Sequence, residues 1–262
     1  MECKSCGLVQ LANDPVSYYK DVITTATLSG ESRKKLKREF KKIVDQFGIK
    51  GNVFDVGAGN GQFVALLQEL GLKATGLEHN ADNVKRAYQE SGVKLKHGYL
   101  LDMELKDKQY DFVVSNNFLE HQPDIGLFLK KINYLLKMNG FIYVSVPNLQ
   151  RILDRACFYE FVVDHLAYFS EKTLCRALEL NGFDVKELYL KNNDNDVVAI
   201  AEKRSPTNLV AMTKKMDCIV KSISELVEKI SGEDKRVSVW GAGHRALALM
   251  AISNINKIDF VI

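Results

Sequence analysis

Three glycines at alternate positions join a strand-like run to a helix-like run early in the chain. The stretch reads VFDVGAGNGQF (53–63), with Asp55 in the apolar run and Gly57, Gly59 and Gly61 in the turn. A bare turn between a strand and a helix lets the backbone approach a ligand closely. We therefore expect a nucleotide-type ligand at the carboxyl edge of a parallel sheet.

Strand-like and helix-like runs alternate after this turn. The strands are predicted at 52–56, 73–78, 93–97, 111–117 and 141–147. The helices are predicted at 62–71, 81–92 and 125–140, each ending at or near a glycine. This alternation is typical of α/β folds, in which helices cover both faces of a parallel sheet.

The pattern then changes to a helix followed by a hairpin. Residues 170–182 read as a helix with Ser170 as its N-cap, and 184–191 and 197–203 read as strands around the turn NNDND. The last strand is therefore predicted to run antiparallel to its neighbour. The chain thus predicts five parallel strands closed by a hairpin.

Composition narrows the class of protein. The chain has 262 residues, 46% of them hydrophobic, and a net charge of +3. This length suits one large and one small domain, and the charge indicates no nucleic-acid partner. No apolar run approaches the ~20 residues of a membrane span, and the first residues lack the apolar core of a signal peptide. We therefore expect a cytoplasmic protein without a membrane partner.

The domain organisation is predicted in three parts. Residues 1–32 carry Cys3 and Cys6 as a C-x-x-C pair, which is half of a four-thiolate zinc site. Because this chain lacks a second C-x-x-C pair, we expect no bound metal ion here. Zinc would bind only if the two missing thiolates were supplied from elsewhere. Residues 33–204 form the main α/β domain. Residues 205–262 begin a second Rossmann-like unit, and we expect this unit to be incomplete.

Asp55 and the glycine spacing discriminate between two ligand classes. G-x-G-x-G is one residue short of the dinucleotide pattern G-x-G-x-x-G. A carboxylate repels a pyrophosphate, whereas it attracts the ammonium group of S-adenosylmethionine. Glu78 ends the second predicted strand, where an acid binds ribose hydroxyls in such folds; both ligand classes share this feature, so Glu78 supports the fold more than the choice of ligand. The pattern therefore favours S-adenosylmethionine.

The stretch 53–204 resembles the class I S-adenosylmethionine-dependent methyltransferases. The matching pieces are VFDVGAGNGQF, GLEHN, YDFVVSNNFLEHQPD, GFIYVSVPN and HLAYFSEKTLCRALELNGFDV. The flanks extend the resemblance: C-x-x-C-G-L-V-Q-L resembles the second half of a small zinc domain, and VSVWGAGHRALALMAISNI resembles a C-terminal domain. The sugar C-methyltransferases join these three parts in the same order. The resemblance implies a Rossmann-like, mostly parallel seven-stranded sheet with one antiparallel strand. It also implies S-adenosyl-L-methionine as methyl donor and S-adenosyl-L-homocysteine as product.

The resemblance also implies the cofactor contacts. The matching positions hold the methionine end, the ribose, the adenine or the methyl group. They are Asp55, Gly57, Ala58, Gly59, Gly61, Glu78, His79, Leu100, Leu101, Asn116 and Asn117. Tyr99 stands where the family often has an acid for the adenine amine.

His165 is the predicted general base, because an unmodified imidazole has a pKa near neutrality. It lies in an aromatic-rich segment, 148–169, that is predicted to cover the substrate as a lid. Sugar C-methyltransferases carry Tyr-x-Glu-His at this position, and here Asp164 precedes His165. The alternative is that His165 only supports the lid. His121, in FLEHQPD, is interpreted as a structural loop histidine.

The substrate is predicted to be a small polar molecule, either a sugar or a nucleotide-linked sugar. Tyr19 is the nearest match to the family's N-terminal active-site tyrosine, and Tyr168 lies in the lid. Arg245 lies within the second glycine loop, Trp240 to Ala246, which fits G-x-G-x-x-A. That loop either holds the diphosphate of a nucleotide-sugar, binds a dinucleotide, or is structural. The alternatives for the whole chain are O- or N-methylation of another metabolite, and nucleotide binding without methyl transfer.

Overall fold

The computed structural model describes residues 1–12, 14–15, 29–104, 109–233, 235–255 and 258–262. The chain forms two compact units, Met1–Ser205 and Pro206–Ile262. Among the described helices, none combines the length and the apolar character that a bilayer crossing requires.

A seven-stranded sheet lies at the centre of the first unit. The strands of this unit are β1 (Val9–Gln10), β2 (Asn52–Val56), β3 (Lys73–Glu78), β4 (Lys96–His97), β5 (Tyr110–Asn116), β6 (Leu136–Pro147), β7 (Ala167–Tyr168), β8 (Phe183–Lys191) and β9 (Asp196–Lys203). The order across the sheet is β4-β3-β2-β5-β6-β9-β8, and β9 runs antiparallel to both of its neighbours. The predicted α/β fold, mostly parallel with one antiparallel strand, is confirmed. Strands β1 and β7 form a separate antiparallel pair.

Helices cover both faces of this sheet. They are α1 (Gly30–Phe47), α2 (Gln62–Glu69), α3 (Ala81–Ser91), α4 (Ile125–Leu135), α5 (Leu149–Asp154) and α6 (Glu171–Leu180). Ser170 caps α6 as predicted, because its side chain accepts a hydrogen bond from the Thr173 amide, and the Ser170 amide in turn donates one to the Thr173 hydroxyl oxygen. Two consecutive residues of β5, whose side chains lie on opposite faces of the sheet, show that both faces are buried. Phe112 packs into one core cluster and Val113 into the other.

The predicted helix 125–140 is too long. Helix α4 ends at Leu135, and β6 already begins at Leu136. The ammonium group of Lys203 donates to the carbonyls of Asn133 and Leu136, at 2.5 and 2.8 Å, and so satisfies carbonyls at the helix end. Gly140 therefore lies in a strand, where a Cβ would approach the Lys137 carbonyl to 3.0 Å.

The predicted strand 93–97 is also shorter than expected. The structure keeps only Lys96–His97 as β4, at the edge of the sheet. Val93 instead packs into the core cluster that includes Ala58 and Val64. Its apolar character therefore reflects burial below the glycine turn rather than strand pairing.

The second unit is a small strand–helix–strand arrangement preceded by a long helix. It contains α7 (Leu209–Gly232), β10 (Ser238–Val239), α8 (His244–Ile252) and β11 (Phe260–Val261). Strands β10 and β11 pair in parallel, with α8 between them in the chain.

Candidate active site at the carboxyl edge of the sheet

The glycine turn after β2 needs glycine for two separate reasons. Gly57, Gly59 and Gly61 all have left-handed backbones, with φ of +81°, +54° and +74°. A Cβ on Gly57 would lie 2.5 Å from the ring of Phe118, and one on Gly61 would lie 2.9 Å from the Ala87 methyl group. Close packing beneath the turn therefore excludes side chains even where the backbone would tolerate them.

Backbone hydrogen bonds fasten the turn to the end of β3. The amides of Gly57 and Ala58 both donate to the Leu77 carbonyl, at 3.0 and 2.9 Å. The Glu78 carboxylate accepts from the Gly59 amide at 2.8 Å and from the Asn80 amide at 2.9 Å. A carboxylate has about four acceptor positions, so Glu78 keeps acceptor capacity for a ligand hydroxyl.

Asp55 is a buried acid at the entrance to this turn, with an exposed fraction of 3%. Burial, together with the negative charge of Glu78, raises the pKa of Asp55 to about 8. Asp55 is therefore mostly protonated at pH 7, and an incoming cation would favour its ionised form. A bare turn beside two acids suits a ligand with an ammonium group and ribose hydroxyls, as in S-adenosylmethionine.

The residues predicted to contact adenine follow β3 and β4. The His79 ring centroid lies 6.3 Å from that of His97 and 6.1 Å from that of Tyr99. Leu100 is fully buried in the core, whereas Leu101 is half-buried. Leu101 is thus the member of the pair that keeps access to a ligand.

Two asparagines end β5 at the same edge of the sheet. The hydroxyl oxygen of Ser145 lies 2.8 Å from the amide oxygens of both Asn116 and Asn117. Asn117 has a left-handed backbone with φ of +47°, which turns the chain out of the strand. The following Phe118 packs under Gly57, so the glycine turn and the next segment are in direct contact.

A cluster of two histidines and one acid comes directly after Phe118. Glu120 and His121 lie in a single 3₁₀ turn, Leu119–His121, and both are buried. The ring centroid of His165 lies 4.8 Å from that of His121 in an edge-to-face arrangement. The amide of Leu166 donates to the Glu120 carbonyl at 2.8 Å, which holds the two segments together.

Burial sets the protonation of this cluster. It lowers the pKa of His121 to about 4, with the nearby His165 adding to the effect, and it also lowers the pKa of His165. Burial raises the pKa of Glu120 to about 8. At pH 7 both imidazoles are therefore neutral and keep a lone pair, while the carboxyl group is mostly protonated.

Asp164 contacts His121, which lies 43 positions away in sequence. The Nδ1 atom of His121 lies 2.8 Å from the Asp164 carbonyl oxygen and 3.8 Å from its carboxylate. Asp164 also acts on His165 through its charge, which opposes the lowering of the His165 pKa by burial. The sequence-based expectation that Asp164 orients His165 or polarises the substrate stays a prediction. His121 had been interpreted as a loop histidine, and Glu120 had no predicted role. Their adjacent positions after β5, at the ligand edge of the sheet, are the sequence feature that would have indicated them.

The predicted substrate residues lie in different environments. Tyr168 is buried, and its hydroxyl donates to the Val162 carbonyl at 3.1 Å. In the segment before it, Phe158 and Tyr159 are 79% and 66% exposed. Arg245 is exposed in the first turn of α8, in the second unit. Tyr19 lies outside the described residues.

Residues 29–188 match the family described as "Methyltransferase domain". The chain belongs to this family. The match covers the glycine turn, the two acids, the paired asparagines and the histidine cluster. With the seven-stranded sheet, it identifies the chain as a class I S-adenosylmethionine-dependent methyltransferase.

Two relatives carry different descriptions. C-methyltransferase NovU of Streptomyces niveus is 22% identical over 282 aligned residues, which cover 95% of this chain and 67% of that protein. A ubiquinone biosynthesis O-methyltransferase of Bradyrhizobium diazoefficiens is 28% identical over 117 residues, which cover 42% of this chain and 46% of that protein. The methyltransferase thus spans about two thirds of NovU and less than half of the second relative.

Solved structures share the fold. A SAM-dependent methyltransferase from Archaeoglobus fulgidus has a TM-score of 0.55 at 22% identity, and the alignment covers 66% of this chain and 95% of that one. The PH0226 protein from Pyrococcus horikoshii has a TM-score of 0.56 at 18% identity, covering 71% and 95%. At these identities the likeness shows a common architecture for the methyltransferase domain.

Proposed function

We propose that this protein transfers a methyl group from S-adenosylmethionine to a small hydroxyl-bearing molecule, a sugar or a nucleotide-linked sugar. The observation that carries the proposal is the neutral pair His121 and His165, packed next to the segment that supports the glycine turn. A carbon or hydroxyl nucleophile must lose a proton before it attacks, and a neutral imidazole accepts one.

The bound cofactor supplies an activated methyl group on a sulfonium. The protein's own residues provide position and proton transfer. Asp55 and Glu78 offer carboxyl groups to the cofactor's ammonium and ribose, and Asn116 and Asn117 end the strand next to the methyl position. Because the leaving group is already good, holding the two reactants in line supplies much of the rate.

His165 is the better candidate for the base of the two histidines. It is half-exposed, whereas His121 is buried and its Nδ1 is held by the Asp164 carbonyl. A substrate can therefore reach His165 more readily. In this proposal His121 supports the His165 ring through their edge-to-face contact.

Two features support a polar substrate over a quinol. Glu120, His121, Asp164 and His165 place several hydrogen-bonding groups in one small region, which suits a molecule with many hydroxyls. The similarity to NovU extends over 95% of this chain, whereas the similarity to the B. diazoefficiens enzyme covers 42%. Methyl transfer to a quinol and not to a sugar would contradict this choice of substrate class.

The test of the proton-transfer role uses His165→Ala. We expect turnover to fall by roughly two to four decades, because general-base catalysis contributes that much. Affinity for S-adenosylhomocysteine, measured by calorimetry, is expected to stay unchanged. The matched control for turnover is His97→Ala, since His97 is an exposed histidine that contacts His79 beside the predicted adenine site and not the cluster. Its turnover at saturating cofactor is expected to stay near normal. Near-normal turnover in His165→Ala would reduce this residue to a support for the lid.

A further inference from the structure

We propose that Glu120, His121 and His165 form a binding site for a divalent transition-metal ion. Each offers one ligand atom, and the three atoms lie within 4.8 Å of one another. Two imidazole nitrogens and one carboxylate oxygen are ligands that zinc and other first-row metals accept. This site goes beyond the proposed methyl transfer, which needs no metal ion.

The spacing of the ligand atoms is close to that of a formed site. The Nε2 atom of His121 lies 3.9 Å from Oε1 of Glu120. Metal–ligand bonds of about 2.0–2.2 Å place neighbouring ligand atoms roughly 3.3–4 Å apart. Closing the widest gap of 4.8 Å requires a shift of about 1 Å, which side-chain rotation supplies.

The hydrogen bond on His121 leaves the correct nitrogen free. Its Nδ1 atom is 2.8 Å from the Asp164 carbonyl, so Nδ1 carries the proton and Nε2 keeps its lone pair. Metal-binding histidines donate their other ring N–H to a carbonyl or carboxylate in the same way. His121 is thus held in the tautomer that binds a metal.

Glu120 has a carboxylate oxygen without a hydrogen-bond partner in the described part of the chain, which indicates a ligand. Its side chain is 2% exposed, and its Oε2 atom has no hydrogen-bond partner among the described residues. A buried polar atom without a partner costs free energy, so such an atom usually has a ligand. A cation next to both carboxylate oxygens would satisfy Oε2 and compensate the buried charge of an ionised Glu120.

The number of ligands leaves room for another molecule. Closed structural zinc sites use four protein ligands, whereas sites with three keep an open position. In this site the open position would take water or a substrate hydroxyl. A metal ion and a proton compete for the lone pair of His165, so metal occupancy and the role of His165 as a base exclude each other.

The test uses Co²⁺ alone, without methyl donor or substrate, because its visible absorption reports coordination directly. The background protein is Cys3→Ser/Cys6→Ser, which removes the only other soft ligand pair that the sequence indicates. We expect visible bands when Co²⁺ is added to the folded protein and loss of those bands when Zn²⁺ displaces it.

Variants in the same background locate the ion. Glu120→Gln and His165→Ala are each expected to weaken Zn²⁺ binding by more than the roughly 10–100-fold that changes outside the ligand shell cost. His97→Ala is the matched control and should bind as the background does. Circular dichroism checks folding. If Glu120→Gln does not fold, His165→Ala tests the proposal, because His165 is half-exposed and its substitution disturbs the core less.

Two results would overturn the proposal. One is the absence of cobalt bands in the background protein. This includes the result that the unsubstituted protein shows bands and the Cys3→Ser/Cys6→Ser protein does not. The other is binding that neither Glu120→Gln nor His165→Ala weakens. Both readouts are independent of turnover, so they separate this proposal from the proposed function, whose test is methyl transfer.

Discussion

Asp55 shows at the residue scale how the fold prepares a ligand site. A buried carboxyl group with a neighbouring acid has a pKa raised to about 8, whereas the ordinary value is 3.8. The residue type and its position before the glycines were readable from the sequence. Its protonation was not, because burial and the distance to Glu78 exist only in the folded chain.

Proton release is the measurable consequence of this raised pKa. At pH 7 Asp55 is mostly protonated, and the ammonium group of the cofactor favours ionisation, so binding of S-adenosylhomocysteine should release up to about one proton. Above the raised pKa the acid is already ionised, and the release should vanish. Calorimetry in buffers with different ionisation enthalpies measures it. A binding enthalpy at pH 7 that does not depend on the buffer would show that no proton is released. That result, with the same lack of buffer dependence in Asp55→Asn, would contradict this account.

The segment 100–103 shows at the element scale what sequence patterns miss. The ammonium group of Lys131 in α4 donates to the carbonyls of Leu100, Leu101 and Met103, at 3.1, 2.7 and 2.9 Å. An ammonium has three donors, and these three carbonyls use all of them. A lysine on an amphipathic helix reads as solvent-exposed, so the sequence could not predict this contact.

The Lys131 contact predicts an effect on cofactor affinity. Lys131→Met should lower the free energy of unfolding by on the order of 1.5–3 kcal/mol, as for a hydrogen bond to a charged group. It should also weaken S-adenosylhomocysteine binding, since the segment 100–103, which contains the predicted adenine contacts Leu100 and Leu101, would have to be ordered on binding. Lys130→Met, which changes the exposed neighbour, is the control. Equal affinity in both variants would show that the contact serves stability alone.

Local rules and tertiary contacts decided different elements of this fold. The Ser170 cap and the Asn/Asp turn of the hairpin are local features, and both predictions were confirmed. The boundary between α4 and β6 depends on Lys203, which is about 70 residues away in sequence, and that prediction was wrong. The contact between His121 and Asp164 likewise joins two segments that the sequence separates.

At the scale of the whole molecule, the proposed chemistry lies within one compact unit. Asp55, Glu78, Asn116, His121 and His165 all belong to Met1–Ser205. The glycine turn of the second unit contains Gly241, with φ of +106°, ahead of the exposed Arg245. Its role in phosphate binding stays a prediction.

A truncation tests whether the first unit is sufficient. A chain ending at Ser205 should bind S-adenosylhomocysteine with the affinity of the 262-residue chain, because every proposed cofactor residue precedes that point. Calorimetry on both proteins, with circular dichroism to verify folding, measures this. A folded truncation with much weaker binding would show that residues 206–262 contribute to the cofactor site.

The glycine turn and its two acids, Asp55 and Glu78, are expected to bind the methyl donor. The most direct measurement is calorimetric titration of the 262-residue protein with S-adenosylhomocysteine and, separately, with NADH. We predict one site for S-adenosylhomocysteine, lost in Gly59→Arg and weakened in Glu78→Ala. No heat with S-adenosylhomocysteine, tight binding of NADH in its place, or binding that Gly59→Arg leaves intact would contradict the account.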